Sequence, residues 1–309
     1  LSHGVGMIRR LDEAWHDHPW GVVMLFLAPT LLIYCALTVY PVLQTLYNSL
    51  HIIAPGKPDE FVGWRNYAEL FTADDTFRKA VVNTTIWAVV APVVDLVLGL
   101  LLALVLYTGV RGSRFFRVAW FSPVLISYVV VGVLWMWIYN YDWGIANGLL
   151  RAVGLGEYAQ LWLGDPRTAL WALIFVDAWK WAGFHMVVCL AALHSLPREV
   201  IEAAELDSCG WFEKLIFVMV PMIRSTLLNL LILSFIGKMK IFDLVWITTK
   251  GGPLWSTETV STYVYKRAFE WSTFDLGYPS AIASVWFFAV LAAVLILTRL
   301  LRQRDRLEY

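Results

Sequence analysis

From Pro19 to Gly56 the chain carries no Asp, Glu, Lys or Arg, and its stretch from Trp20 to Ser49 is apolar almost throughout. A helix needs about 20 such residues to cross the hydrocarbon core of a bilayer. Backbone polar groups in lipid have no water to bond, so a run of this kind is confined to a helix that closes its own hydrogen bonds. Five more runs follow: 81–107, interrupted by Asp95; 118–139, uncharged; 168–193, containing Asp177 and Lys180; 225–246, whose far end carries Lys238, Lys240 and Asp243; and 279–298. The pattern predicts an all-α membrane protein with six transmembrane helices in one membrane domain.

Composition excludes the main alternatives. Hydrophobic residues make up 59% and charged residues 16%, against about 25% charged in soluble domains. A formal charge of zero lacks the basic excess of a nucleic-acid binder. Cys35, Cys189 and Cys209 are too scattered for a disulfide framework or a metal site.

Orientation follows from Lys and Arg in the short loops. Placing both termini inside gathers Arg9, Arg10, Arg111, Arg114, Arg117, Arg198, Lys214 and Arg224 on the inner side, with the C-terminal Arg299, Arg302, Arg304 and Arg306. On this reading, residues 1–19 form a cytoplasmic N-terminal segment, 20–301 the membrane domain, and 302–309 a cytoplasmic tail. The apolar run after residue 19 is too long for the h-region of a cleavable signal peptide.

No P-loop occurs: Gly237-Lys238 is followed by Met239, where magnesium binding needs Ser or Thr. Neither HExxH nor GxSxG is present, and His3, His16 and His18 lie in the polar N-terminal stretch. His185, alone within the fourth run, reads as a hydrogen-bonded helix contact. No catalytic or metal-binding role is expected of this chain.

The inner loop at 194–221 is longer than the others. Pro197 suits a helix start, and Ala203 and Ala204 favour helix. Ile201, Ala204, Cys209 and Trp211 give an apolar face, and Glu202, Glu205 and Asp207 an acidic one. A short amphipathic helix is expected, with Gly210 as its stop. A membrane-surface helix would carry Lys and Arg on its polar face, so acidic residues point to a protein partner.

This loop resembles the EAA motif (EAA-x3-G-x9-I-x-L-P) of permease subunits in binding-protein-dependent ABC importers. Glu202-Ala203-Ala204 and Pro221 match, and Asp207 stands where the family often has Asp. Ser208 replaces the motif Gly, while Val218 and Val220 replace Ile and Leu. The carbohydrate-uptake branch, of MalF/UgpA-like type, is similar over nearly the whole chain. The matching segments are Phe61-x-Gly63-x-x-Asn66-Tyr67, Val82-Asn83-Thr84, Phe116-Arg117, Trp137-x-Tyr139-Asn140, Gly144-x-x-Asn147 and Thr249-Lys250-Gly251-Gly252-Pro253.

The resemblance implies a type I ABC importer permease fold in a bacterial or archaeal cytoplasmic membrane. Its partners would be a second six-helix permease (MalG/UgpE-like), an ATPase dimer carrying ATP and Mg2+, and an extracytoplasmic solute-binding protein. This chain would hold no cofactor of its own. Glu202, Ala203, Ala204, Asp207, Ser208, Gly210 and Pro221 would form the coupling segment. Ser234, Gly237, Lys238 and Ile241 match the sugar-contacting face of the family. Their i, i+3, i+4, i+7 spacing puts them on one side of a helix.

Trp179 and Lys180 are further candidates for the solute path, as is ring stacking by Trp135 or Trp137. Lys238 reads either as facing an aqueous cavity or as snorkelling outward with Lys240, itself paired with Asp243. Asp177 and Lys180 read as i, i+3 partners, whereas Asp95 has no partner in its own helix. The implied function is carbohydrate import. An importer of an anionic polyol phosphate is the alternative within transport, and a self-sufficient secondary transporter, which would need broken helices, the alternative from another class.

Overall fold

A computed structural model describes residues 19–54, 56, 58–207, 209–271 and 275–305. Ser208, the three N-terminal histidines, and the termini at 1–18 and 306–309 lie outside the described residues. In chain order, α1 (Pro19–Tyr34) passes through a π turn (Cys35–Val39) into α2 (Tyr40–Asn48). A small antiparallel hairpin follows, β1 (His51–Ile52) with β2 (Glu60–Phe61), pairing His51 with Phe61; among the described residues it is the one departure from an all-helical reading. Then come α3 (Arg65–Thr72), α4 (Asp75–Tyr107), α5 (Ser113–Leu125), α6 (Tyr128–Ile138), α7 (Ile145–Ala152) and α8 (Ala169–His194). The remainder is α9 (Arg198–Leu206), α10 (Trp211–Met222), α11 (Arg224–Lys238), α12 (Asp243–Thr248), α13 (Val260–Tyr265) and α14 (Gly277–Asp305).

Four segments among the described residues are long and apolar enough to cross a membrane: Val23–Asn48, α4, α8 and Gly277–Arg299. The third and fifth runs, expected as single spans, are broken instead. Helices α5 and α6 meet at 104° within the third run, whereas the 66° bend between α10 and α11 falls at Ile223, just before the fifth run begins; counting each pair as one span gives six. The third run breaks because Ile126 turns extended and Ser127 restarts the helix, its hydroxyl accepting from the Val130 N–H at 3.5 Å. The fifth run ends at Lys238, so Lys240 and Asp243 lie beyond its helix, in the turn and short α12 that follow.

Helices α4 and α8 form the spine and pack along much of their length. Two glycines set the approach distances. A Cβ on Gly99 of α4 would lie 2.3 Å from the His185 Cβ of α8, and one on Gly183 of α8 only 1.9 Å from the Trp120 carbonyl of α5. Gly183→Ala therefore forces α5 outward. We expect it to cost about 1–3 kcal/mol, read as a lower thermal midpoint of the purified chain; an unchanged midpoint would remove this contact from the account.

Side chains from one end of this spine, among them Trp87, Trp135, Leu173 and Leu244, make one apolar cluster, and Leu104, Met186, Leu193, Leu215 and Met219 make another at the opposite end. Helices α3, α13 and α14 join α4 in a third, around Leu70, Phe77, Tyr263 and Ile282.

The polar residues of the family-like motifs fasten loops. Asn66 donates to the carbonyls of Ser49 and His51 at 2.9 and 3.0 Å, closing the turn after α2. Asn147 bonds the backbone of Tyr141 and Gln160 and accepts from Trp162 Nε1 at 2.8 Å. Asn83 donates to the carbonyls of Trp255 and Glu258, and the Thr84 hydroxyl accepts from the Val260 N–H. These bonds satisfy buried backbone groups that no helix ladder reaches. Those of Asn83 and Thr84 hold residues 255–260, which follow the Thr249–Pro253 turn, onto the start of α4.

That loop closes on a buried ion pair. Glu258, fully buried, accepts from Thr262 at 2.8 Å and pairs with Lys266, which also donates to the Lys250 carbonyl. Gly251 sits above it at φ +80°, where a Cβ would lie 1.9 Å from Glu258 Oε2. Glycine is the residue that meets both constraints. Burial pushes the Glu258 carboxyl above the ordinary carboxylate range, against the opposing pull of Lys266.

Candidate functional site

A cavity of about 530 Å³ opens between α8, α11 and the first residue of α6, within the usual size of small-molecule sites. Ser234, Gly237, Lys238 and Ile241 all line it, as their shared helical face requires. Tyr128, Trp181, Phe184 and Phe242 supply aromatic walls that composition alone did not single out. Gly237 has no atom near the position of a Cβ, so its lack of a side chain leaves that space to the cavity.

Lys238 does not snorkel. Its side chain is 5% exposed, and its ammonium bridges Asp95 Oδ2 at 3.1 Å and Asp177 Oδ2 at 2.7 Å. Three helices are joined by one charge cluster: α4 through Asp95, α8 through Asp177 and α11 through Lys238. Every oxygen but one is used. Trp87 Nε1 and Tyr128 OH donate to Asp177 at 2.8 and 2.7 Å, and Ser234 donates to Asp95 Oδ2 at 3.0 Å, whereas Asp95 Oδ1 meets no donor. Burying three charges is tolerable only with such pairing and added hydrogen bonds. Asp95, unpartnered within its own helix, thus finds its partner on α11.

Lys180 is not the partner of Asp177. Its ammonium reaches the carbonyls of Pro123, Val124 and Ile126 at 2.9, 3.1 and 2.5 Å, where α5 ends. Trp179 packs edge-on against Trp135, ring centres 5.5 Å apart, inside an apolar cluster. Neither Trp179 nor Lys180 lines the cavity, and Trp135 and Trp137 do not either. No ion pair joins Lys240 to Asp243 among the described residues; both stand exposed at the cavity's edge. His185 lines the cavity as well, and its Nδ1 faces the Trp181 carbonyl at 3.0 Å, the helix contact expected of it.

At the far end, α9 forms where the amphipathic pattern places it. Pro197 precedes its first turn, and Glu199 in that turn complements the helix dipole. Ala204 is buried and Ile201 half-buried against the bundle, whereas Glu202, Ala203, Glu205 and Asp207 are exposed. The helix ends at Leu206, earlier than the expected stop at Gly210. Gly210 is extended and begins α10, its N–H donating to Glu213 Oε2 at 2.8 Å. Glu205 pairs with Lys214, fixing α9 to α10, and Pro221 lies near the end of α10. Tyr107, His194, Arg198, Ile201, Glu202 and Glu205 line a polar cleft of about 470 Å³ beside α9.

Comparison with known proteins agrees with this architecture. Residues 95–306 match a family described as binding-protein-dependent transport system inner membrane component. A probable ABC transporter permease of Bacillus subtilis, YurN, is 35% identical over 272 residues, 87% of this chain and 91% of that one. The lactose permease LacF of Rhizobium radiobacter is 32% identical, covering 91% and 94% of the two chains. The trehalose/maltose permease MalF of Thermococcus litoralis is 29% identical over 91% and 93%. A crystal structure of a bacterial ABC transporter that imports alginate superposes with a TM-score of 0.78 over 96% of this chain and 99% of that one, at 21% identity, a likeness of fold. Matched to that family over residues 95–306 and to such relatives over most of its length, the chain belongs to the family of membrane components of binding-protein-dependent transport systems, as an ABC importer permease.

Proposed function

We propose that this chain is one permease half of an ATP-driven importer of an uncharged carbohydrate in a bacterial or archaeal cytoplasmic membrane. A second six-helix permease completes the pathway. An ATPase dimer holding ATP and Mg2+ docks on α9, and an extracytoplasmic binding protein delivers the solute. One observation carries the reading: Ser234, Gly237, Lys238 and Ile241, the face that the family uses for sugar, opens on the aromatic cavity. Relatives named for lactose and for trehalose/maltose support the same class.

Charge favours a neutral solute over a polyol phosphate. Lys238 is held by two carboxylates and Lys180 by three carbonyls, which leaves Lys240 beside Asp243. Asp95, Asp177 and Asp243 balance Lys180, Lys238 and Lys240 on and behind the cavity wall, so no surplus of positive charge is left to attract an anion. The broken helices also fit a secondary transporter, in which freed carbonyls hold a coupling ion. Here the carbonyls where α5 ends are taken by Lys180.

In the proposed cycle, ATP closes the ATPase dimer, α9 moves with it, and the rigid α9–α10 corner passes the motion to α11 and the cavity. Glu202, Ala203 and Asp207 face outward to receive the partner, while Ala204 seats the helix on the bundle. Glu202→Lys or Asp207→Lys is expected to reduce uptake about tenfold or more while membrane abundance stays within a factor of about two. Equal loss of both would leave these residues a folding role alone. The direct test is affinity purification of the tagged chain from native membranes in mild detergent, with an ATPase assay. Recovery of a second permease and an ATPase is expected; recovery of the chain alone, with ATP-independent flux, would overturn the reading.

A further inference from the structure

Where α5 stops, its last carbonyls lack the N–H groups of a following turn, apart from Pro123, whose oxygen also accepts from the Ile126 N–H at 3.3 Å, and they carry the negative end of the helix dipole. The oxygens of Pro123, Val124 and Ile126 converge on one point, and Lys180 Nζ fills it at 2.9, 3.1 and 2.5 Å. A carbonyl accepts and never donates, so three carbonyls around one nitrogen call for three N–H groups. Only the charged ammonium has three. The rings of Tyr128 and Trp181 lie 5.0 and 5.8 Å from the same nitrogen, adding their electron-rich faces.

The rest of this α8 face serves the same break. Gly183, one turn on, lets the α5 backbone come within contact of α8. Asp177, one turn back, accepts from Tyr128, the first residue of α6. One helix face therefore grips both sides of the interruption, a cation on the carbonyl end of α5 and an anion on the opening residue of α6. Tyr128 and Trp181 also line the solute cavity, so the grip fixes part of its wall.

We infer that Lys180 is a tethered cation occupying a three-carbonyl nest at the break of the third span, and that removing its side chain creates a site for a free alkylammonium ion. The nest has the donor set with which unwound transporter helices hold a coupling ion. Here the covalent side chain fills it permanently. Lys180 is thus a positioning residue: it stabilises the break and the placement of Tyr128 and touches no solute.

Two variants of the full-length chain, purified in detergent, test this without knowledge of the solute. Lys180→Ala empties the nest, whereas Lys180→Met removes the charge but fills the space. In choline chloride, whose cation is too large for the nest and lacks N–H donors, both are expected to unfold about 5 °C below the native chain. Methylammonium chloride at equal ionic strength carries the same head group as Lys. It should return at least half of that loss in Lys180→Ala and none in Lys180→Met. Absence of any loss, absence of recovery in Lys180→Ala, or equal recovery in both variants would overturn the assignment. If Lys180→Ala aggregates in choline, recovery of monodisperse chain in methylammonium alone supports the nest, and aggregation in both salts overturns it.

Discussion

Lys238→Met is expected to lose most of its folded protein. The substitution leaves Asp95 and Asp177 buried without the ammonium that both contact, and stranding a buried charge in this way costs about 3–5 kcal/mol. Asp177 keeps its bonds from Trp87 and Tyr128, but Asp95 keeps Ser234 alone. The deficit therefore falls mainly on Asp95, which gives an ordering. Asp95→Asn by itself leaves the Lys238–Asp177 pair intact and should be mild. Added to Lys238→Met, it removes one of the two stranded charges and should recover part of the loss. Membrane abundance and thermal midpoints of the three variants check the order. A Lys238→Met chain as abundant and as stable as the native one would show that the cluster does not hold α4, α8 and α11 together.

Lys266→Met should cost a similar amount, about 3–5 kcal/mol at neutral pH, because Glu258 is fully buried and Lys266 is its counter-charge. The pH dependence identifies the cause. Burial already raises the Glu258 pKa above its ordinary value, and losing Lys266 takes away an opposing pull. A carboxyl with a raised folded-state pKa binds its proton more tightly in the native state than in the unfolded one. The native state thus gains relative stability as pH falls and loses it as pH rises through the folded-state pKa. The gap between Lys266→Met and the native chain should narrow on acidification below neutrality, as the neutral acid replaces the stranded carboxylate. A gap that is constant with pH would mean that lost packing over Trp255, 4.8 Å from Lys266 Nζ, is the real defect.

Both clusters explain why polar residues recur at set places in an otherwise apolar chain. Asn66, Asn83, Thr84 and Asn147 bond loop backbone, and the charged residues join helices. In the proposed function, solute contact falls to a smaller set around the cavity, in which Tyr128 and Ser234 also bond the charge cluster.

The sequence by itself determined the apolar segments, the exposed acidic helix at α9, and that Ser234, Gly237, Lys238 and Ile241 share one face of α11; that this face meets a cavity was implied by the family resemblance alone. These follow from local rules: the length of an uncharged run, the periodicity of a helix, and the residue types that a protein partner or a bilayer accepts. The helix stop was misplaced at Gly210 because glycine marks a break in helix propensity without fixing which side of the turn it occupies. Only the tertiary structure decided the charge partners. Asp177 and Lys180 stand at the spacing of a helical pair, yet Asp177 binds Lys238 of α11 and Lys180 binds the end of α5. Inside an apolar bundle a charge takes the partner that removes the most unpaired polar surface, wherever it lies along the chain. The break between α5 and α6 was hidden for the same reason. Ile126-Ser127 reads as apolar helix until the Lys that stabilises its freed carbonyls is brought to it by α8.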